Sequence, residues 1–300
     1  MNLPRRVTIT EVGPRDGLQN EAKEIPLVGK VRLVDALSGT GLTRIEAASF
    51  VSPKAIPQMA DASELLGAIE RREGVTYIGL VPNEKGANDA IAAGVDEIAV
   101  VVSASESHNK ANINRAVAET MEAIGNIAGI ASEAGMRWTG YISTAFGCPY
   151  EGDVAPERVI ELARDLREAG AYAISLGDTI GTGNPRQVYE LVGRFFSQVS
   201  GPELRLHFHD TRGMALANVV AAMEAGADQF DGSIGGLGGC PYAPGASGNV
   251  ATEDLVSMLH RMGIETGVDF EAVVEAAFVA EEIVGRPLEG RVKRTVQRAG

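Results

Sequence analysis

The chain has 300 residues, of which 45% are hydrophobic, and a formal charge of −13; it can bury one large core but is too short for two full enzyme domains plus a linker. That acidic balance excludes a general nucleic-acid or anionic-membrane footprint, which needs clustered Lys and Arg. With two cysteines, no arginine-rich or apolar leader before Val7 and no apolar run near the roughly 20 residues of a membrane span, the expectation is a reduced, cytoplasmic protein.

Taken in chain order, short β-branched runs predict strands at Val7–Val12, Thr43–Ala47, Thr76–Val81, Glu97–Val102, Arg137–Ser143, Ala173–Leu176, Arg205–His209 and Gln229–Ser233. A helical pattern follows each of them, and this alternation marks parallel βα units. Eight pairs predict an α/β fold of the (β/α)8 TIM-barrel type. The phrases Glu168-Ala169-Gly170-Ala171, Glu224-Ala225-Gly226-Ala227 and Ala92-Ala93-Gly94-Val95 place glycine where a helix stops and turns into the next strand. Patterns around Glu253–Met262 and Phe270–Gly285 predict barrel closure and an additional C-terminal helix, and Glu289 to Gly300, with Arg291, Lys293, Arg294 and Arg298, reads as a mobile basic tail. The organisation expected is one domain over 1–300, with the barrel over about 5–265 and the helix and tail over about 266–300. No dinucleotide fingerprint opens a helix after the first strand and no Walker loop occurs.

Active sites of such barrels are built at the C-terminal ends of the strands. Polar clusters fall there: Arg15-Asp16-Gly17 after strand one, Glu46 in strand two, His207-Phe208-His209-Asp210 at strand seven, and the glycine-rich stretch from Gly235 to Asn249 after strand eight. Alternation puts Leu204, Leu206 and Phe208 on the helix-facing side and turns Arg205, His207 and His209 into the barrel. Two imidazoles at i and i+2 can share one ion, or be satisfied by neighbouring carbonyls. Asp16 and Asn249 are candidates for its oxygen ligands, although Asp16 also reads as a turn aspartate and Asn249 as a left-handed cap. Such a donor set suits Mg²⁺ or Mn²⁺ better than a closed zinc site. Asp210 reads as a cap of the next helix.

Cys240 lies among Gly235, Gly236, Gly238 and Gly239 with Pro241 behind it, the composition of a lid that carries a reactive group. Cys148, in Gly147-Cys148-Pro149-Tyr150, lacks the glycine flank and reads as structural.

The segments Glu11 to Glu21, Ser49 to Lys54, Ser175 to Thr179, His207 to Thr211 and Gly236 to Tyr242 resemble the hydroxymethylglutaryl-CoA lyase family over about Val7 to Gly267. The Arg-Asp-Gly and His-x-His elements are shared with Claisen-condensing barrels such as isopropylmalate and homocitrate synthases, while the Cys-Pro-Tyr loop belongs to the lyases. The resemblance implies metal-dependent cleavage of 3-hydroxy-3-methylglutaryl-CoA to acetyl-CoA and acetoacetate, as in leucine degradation and ketone body formation. It implies Asp16, His207, His209 and Asn249 as metal ligands, Arg15 as stabiliser of the thioester enolate, Glu46 as its ion-pair partner and Cys240 as a proton-transfer group. Asp178 is implied as a base-assisting carboxylate or a structural one. The expected partners are an acyl-CoA substrate and a second copy in a homo-oligomer (dimer), with no nucleic acid and no membrane. Ala55, Arg212 and His108 depart from the family pattern near the acyl pocket, so a related 3-hydroxyacyl-CoA is the alternative substrate. A condensing acyltransferase and a non-catalytic acyl-CoA-binding barrel are the alternative functions.

Overall fold

The computed structural model describes residues 1–239 and 248–296. Eight parallel strands close in chain order: β1 Thr8–Glu11, β2 Arg44–Ser49, β3 Thr76–Leu80, β4 Glu97–Ser103, β5 Arg137–Ser143, β6 Ala173–Asp178, β7 Glu203–Phe208 and β8 Gln229–Gly232. The helices are α1 Leu27–Ser38, α2 Ala62–Ala68, α3 Glu84–Ala92, α4 Glu106–Ile113, α5 Val117–Glu133, α6 Pro156–Glu168, α7 Pro185–Gln198, α8 Ala215–Glu224, α9 Thr252–Arg261 and α10 Phe270–Val284. The predicted barrel and added helix are thus both present. None of the described helices is long and apolar enough to cross a membrane.

The main core lies between sheet and helices. Leu204, Leu206 and Phe208 of β7 point into it and are almost wholly buried. The opposite face of β7 enters the barrel. There Arg205 Nη1 donates to Glu97 Oε1 at 2.7 Å, and Arg44 Nη2 reaches both Glu97 oxygens at 2.7 Å. Thr139 Oγ1 donates to Glu97 as well, at 2.6 Å. Every charge in this barrel floor has an opposite partner, the condition under which buried ions are tolerated.

Three details differ from the sequence reading. The connection after β4 holds two helices, because Asn114 adopts a left-handed φ of 55° that ends α4 before α5 begins. Strand β7 stops at Phe208, and His209 leaves the ladder to form an antiparallel bridge with Asn249. The basic tail makes specific contacts with the barrel as far as Lys293. Arg291 Nη1 pairs with Asp210 at 2.7 Å, the amides of Arg291 and Val292 donate to Asp254, and Lys293 pairs with Glu281. Its positive charges meet acids distant in sequence, which local composition does not reveal.

Two carboxylates under the α9 end of the barrel give the fold a pH dependence. Burial pushes Glu11 up to about 8 against hydrogen bonds from Thr252, Ile234 and Gly13, and pushes Glu253 up to about 7 against one from Gly235. A raised folded-state pKa means that the stability these groups contribute is whole below the ordinary value of 4.5 and is lost as pH rises through about 7 and 8. Denaturant unfolding of the metal-stripped protein between about pH 5 and 9 is expected to show stability falling across that window, less steeply in Glu253→Gln. A wild-type profile that stays level would contradict it.

Candidate active site

Strand β1 ends in one π-helical turn, Gly13–Gly17. The amides of Arg15, Asp16 and Gly17 all converge on the carbonyl of Val12, at 3.2, 2.7 and 3.2 Å. This tight winding puts Arg15 and Asp16 side by side over the barrel mouth. Arg15 Nη2 donates to Glu46 Oε2 at 2.8 Å and Nη1 to Asp16 Oδ1 at 2.7 Å. Burial disfavours the guanidinium, yet the charges of Glu46 and Asp16 raise its pKa on balance, so the arginine is a fixed cation. Burial in turn raises Glu46 above the ordinary glutamate range, and its Oε1 has no hydrogen-bond partner among the described residues.

Asp16, His207 and His209 each present a donor atom, and these atoms lie within 4.8 Å of one another. The two imidazole centroids are 5.2 Å apart. Burial works against the Asp16 carboxylate, but Arg15, His207, His209 and the bond from Asn249 hold it well below the usual range. Burial, with the charge of His207 adding to it, drives His209 down to about 4. His209 is therefore neutral near pH 7, as a metal-ligating imidazole has to be.

Asn249 completes the group. Its Nδ2 donates to Asp16 Oδ2 at 2.7 Å and to the carbonyl of Leu237 at 3.0 Å. Its Oδ1 is buried without a hydrogen-bond partner among the described residues, as is His209 Nδ1. Unsatisfied acceptors beside an ionised carboxylate cost stability unless a cation takes them up. The donor chemistry fits a divalent ion with oxygen and imidazole ligands. Gly238 permits this arrangement: its φ is 104°, and a Cβ there would sit 2.6 Å from Asn249 Nδ2.

Arg15, Asp16, His207 and His209 line one end of a cavity of about 350 Å³. It runs past Tyr141 toward Val51, Ile56 and Ile113, where an apolar groove of about 400 Å³ shares its wall and takes in Ala55 and Arg115. His108 also lines the cavity, and burial lowers it to about 4. The sequence reading thus placed Arg15, Asp16, Glu46, His207, His209 and Asn249 at the same strand ends that the fold brings together.

Asp178 ends β6 close by, but its two oxygens accept the amides of Thr182 and Gly183, each at 3.0 Å, so it shapes its own loop. Burial raises it to about 6. Asp210 accepts from the amide of Ala215, the first residue of α8, but it is not the N-cap, which is Met214 and makes no side-chain cap bond. Cys148 is buried, with Sγ 2.9 Å from Ser105 Oγ. Cys240 lies outside the described residues. Sequence reasoning missed Tyr141, whose ring stands edge-on to His207 at 6.4 Å, and Asp231, whose Oδ2 is 3.1 Å from His207 Nδ1. Their inward parity on β5 and β8 was the available signal.

Known proteins resemble this chain over nearly all of its length. The hydroxymethylglutaryl-CoA lyase YngG of Bacillus subtilis is 49% identical over 291 residues, 97% of each chain. The 3-hydroxy-3-isohexenylglutaryl-CoA/hydroxy-methylglutaryl-CoA lyase of Pseudomonas aeruginosa is 46% identical, with 99% of each covered. A solved HMG-CoA lyase of Acinetobacter baumannii, in complex with coenzyme A and 3-methylmalate, superposes with a TM-score of 0.93 at 41% identity, over 98% of this chain and 96% of that one. The HMGL-like family pattern runs over residues 6–279, from before β1 into α10, and on this agreement of sequence, barrel and site the chain belongs to the HMGL-like family.

Proposed function

We propose that the protein is a hydroxymethylglutaryl-CoA lyase, cleaving 3-hydroxy-3-methylglutaryl-CoA to acetyl-CoA and acetoacetate. The observation that carries this reading is the buried Asp16–His207–His209 cluster with the ion-paired Arg15 beside it, in a chain about half identical to a lyase of that name. Asp16, His207, His209 and Asn249 Oδ1 would hold Mg²⁺ or Mn²⁺. Such an ion supplies Lewis acidity to the substrate's 3-hydroxyl and distal carboxylate.

The remaining work belongs to side chains. The hydroxyl loses its proton, its oxygen keeps the electron pair and becomes the ketone of acetoacetate, and the carbon–carbon bond breaks toward the thioester. Arg15 meets the enolate oxygen that then gains charge, held in place by Glu46 so that nothing reorganises as the charge appears. Cys240 is the proton-transfer group that serves the 3-hydroxyl, which gives up a proton, and the enolate carbon, which gains one to become the methyl of acetyl-CoA. Asp178 keeps the loop after β6 in shape beside these groups. The CoA arm leaves along the apolar groove past Val51 and Ile113, whose rim carries Arg115, with Lys54 and Lys110 as chain neighbours of its lining residues. These cations suit the nucleotide phosphates in a chain that is otherwise acidic.

The test is acetoacetate release by the metal-stripped protein with 3-hydroxy-3-methylglutaryl-CoA, with and without Mg²⁺ or Mn²⁺. Metal-dependent product is expected. No product with either metal would overturn the assignment.

A further inference from the structure

We infer that Asp231 is a positioning residue that sets the tautomer and ring orientation of His207 and so readies Nε2 for the metal. This inference rests on the metal reading above. Asp231 lies in β8 and is 2% exposed. Its Oδ2 is 3.1 Å from His207 Nδ1, while its Oδ1 has no hydrogen-bond partner among the described residues. A buried carboxylate in a strand that otherwise builds the barrel wall is costly, and this one has no arginine or backbone donor at hydrogen-bond distance among the described residues to offset the cost. Its one described hydrogen bond goes to the imidazole.

The geometry has a direct chemical reading. A carboxylate oxygen facing Nδ1 accepts the ring proton's hydrogen bond, so in the neutral ring Nδ1 carries the proton and the lone pair is left on Nε2. The ring is then pinned at one end by β8 and turned at the other toward Asp16 and His209, whose donor atoms lie within 4.8 Å. The hydrogen bond also makes Nε2 more basic, and hence a stronger ligand. Among the described residues no carboxylate is hydrogen-bonded to His209 in this way, so His207 is the histidine set before any ion arrives. Tyr141, edge-on to His207 at 6.4 Å, bounds the ring laterally and leaves the axis through Asp231 as the one that fixes its rotation.

The experiment compares wild type, Asp231→Ala and Asp231→Asn. Mn²⁺ affinity is measured by competition with a chelator, and the His207 ring nitrogens are observed by ¹⁵N NMR in the metal-free protein. Asp231→Ala is expected to bind Mn²⁺ about 10- to 100-fold more weakly. Asp231→Asn, which keeps an oxygen acceptor for Nδ1–H, is expected to recover most of that affinity. At a pH where the His207 ring is neutral, its single proton resides on Nδ1 in wild type, and in Asp231→Ala the Nε2-protonated tautomer appears. The NMR readout needs no catalysis, and Asp231→Asn covers the case in which the alanine variant does not fold. Equal Mn²⁺ affinity in wild type and a folded Asp231→Ala, or a neutral wild-type His207 ring protonated on Nε2, would overturn this inference alone. Failure of wild type to take up Mn²⁺ would overturn the metal reading and this inference with it.

Discussion

In the variant His209→Ala, Mn²⁺ uptake at micromolar metal is expected to vanish and kcat to fall by about three orders of magnitude, the several kcal/mol that a Lewis acid contributes. The fold should survive. Burial already keeps His209 neutral, with its pKa near 4, and no ion pair holds it among the described residues, so truncation strands no charge there. Truncation also leaves Asp16 its bonds from Arg15 and Asn249. Metal content by atomic emission, read beside kcat, checks the result. A variant that keeps full metal content and normal turnover would remove His209 from the ligand set.

The second large effect is at Arg15. Arg15→Lys is expected to lower kcat by about two to three orders of magnitude, the scale of losing one preorganised donor to a developing oxyanion, with Mn²⁺ affinity changed far less. Lysine keeps the charge that Glu46 and Asp16 need for burial, so the fold is not put at risk by an orphaned Glu46. It cannot bridge both carboxylates and still offer a donor to substrate, because it lacks the planar fork that spans Oε2 of Glu46 and Oδ1 of Asp16. Steady-state kinetics on metal-loaded protein separate the two parameters: the loss should fall on kcat and leave KM within a few-fold. A loss confined to KM would make Arg15 a binding group instead.

How much of this was legible in the sequence depends on range. The eight strands could be read because β-branched runs alternate with Ala-Gly-Ala stops, a pattern local to each unit. His207 and His209 could be read because period two assigns faces, and Phe208 between them fixes which face is which. What escaped depends on partners far along the chain. Asp231 lies inside the predicted strand Gln229–Ser233 without a motif of its own, and only the packing of β8 beside β7 brings it to His207. The basic tail looked solvated because its acids, Asp210, Asp254 and Glu281, lie 12 to 81 residues away in the chain. The split of the β4 connection turned on one left-handed residue, Asn114, the last of three asparagines that weaken the helical pattern there.

Strand β7 carries the ion-paired floor on Arg205 and the proposed metal ligand on His207, two residues apart on one face and so separated by about 7 Å along the strand. Inserting a single residue between Glu203 and Leu204 would flip both side chains outward at once and bring Leu204 and Leu206 into the barrel. A change of length that leaves Arg205 and His207 inside the barrel therefore has to fall outside β7, in the connections before and after the strand, whereas apolar residues on its outer face can exchange with one another at constant length.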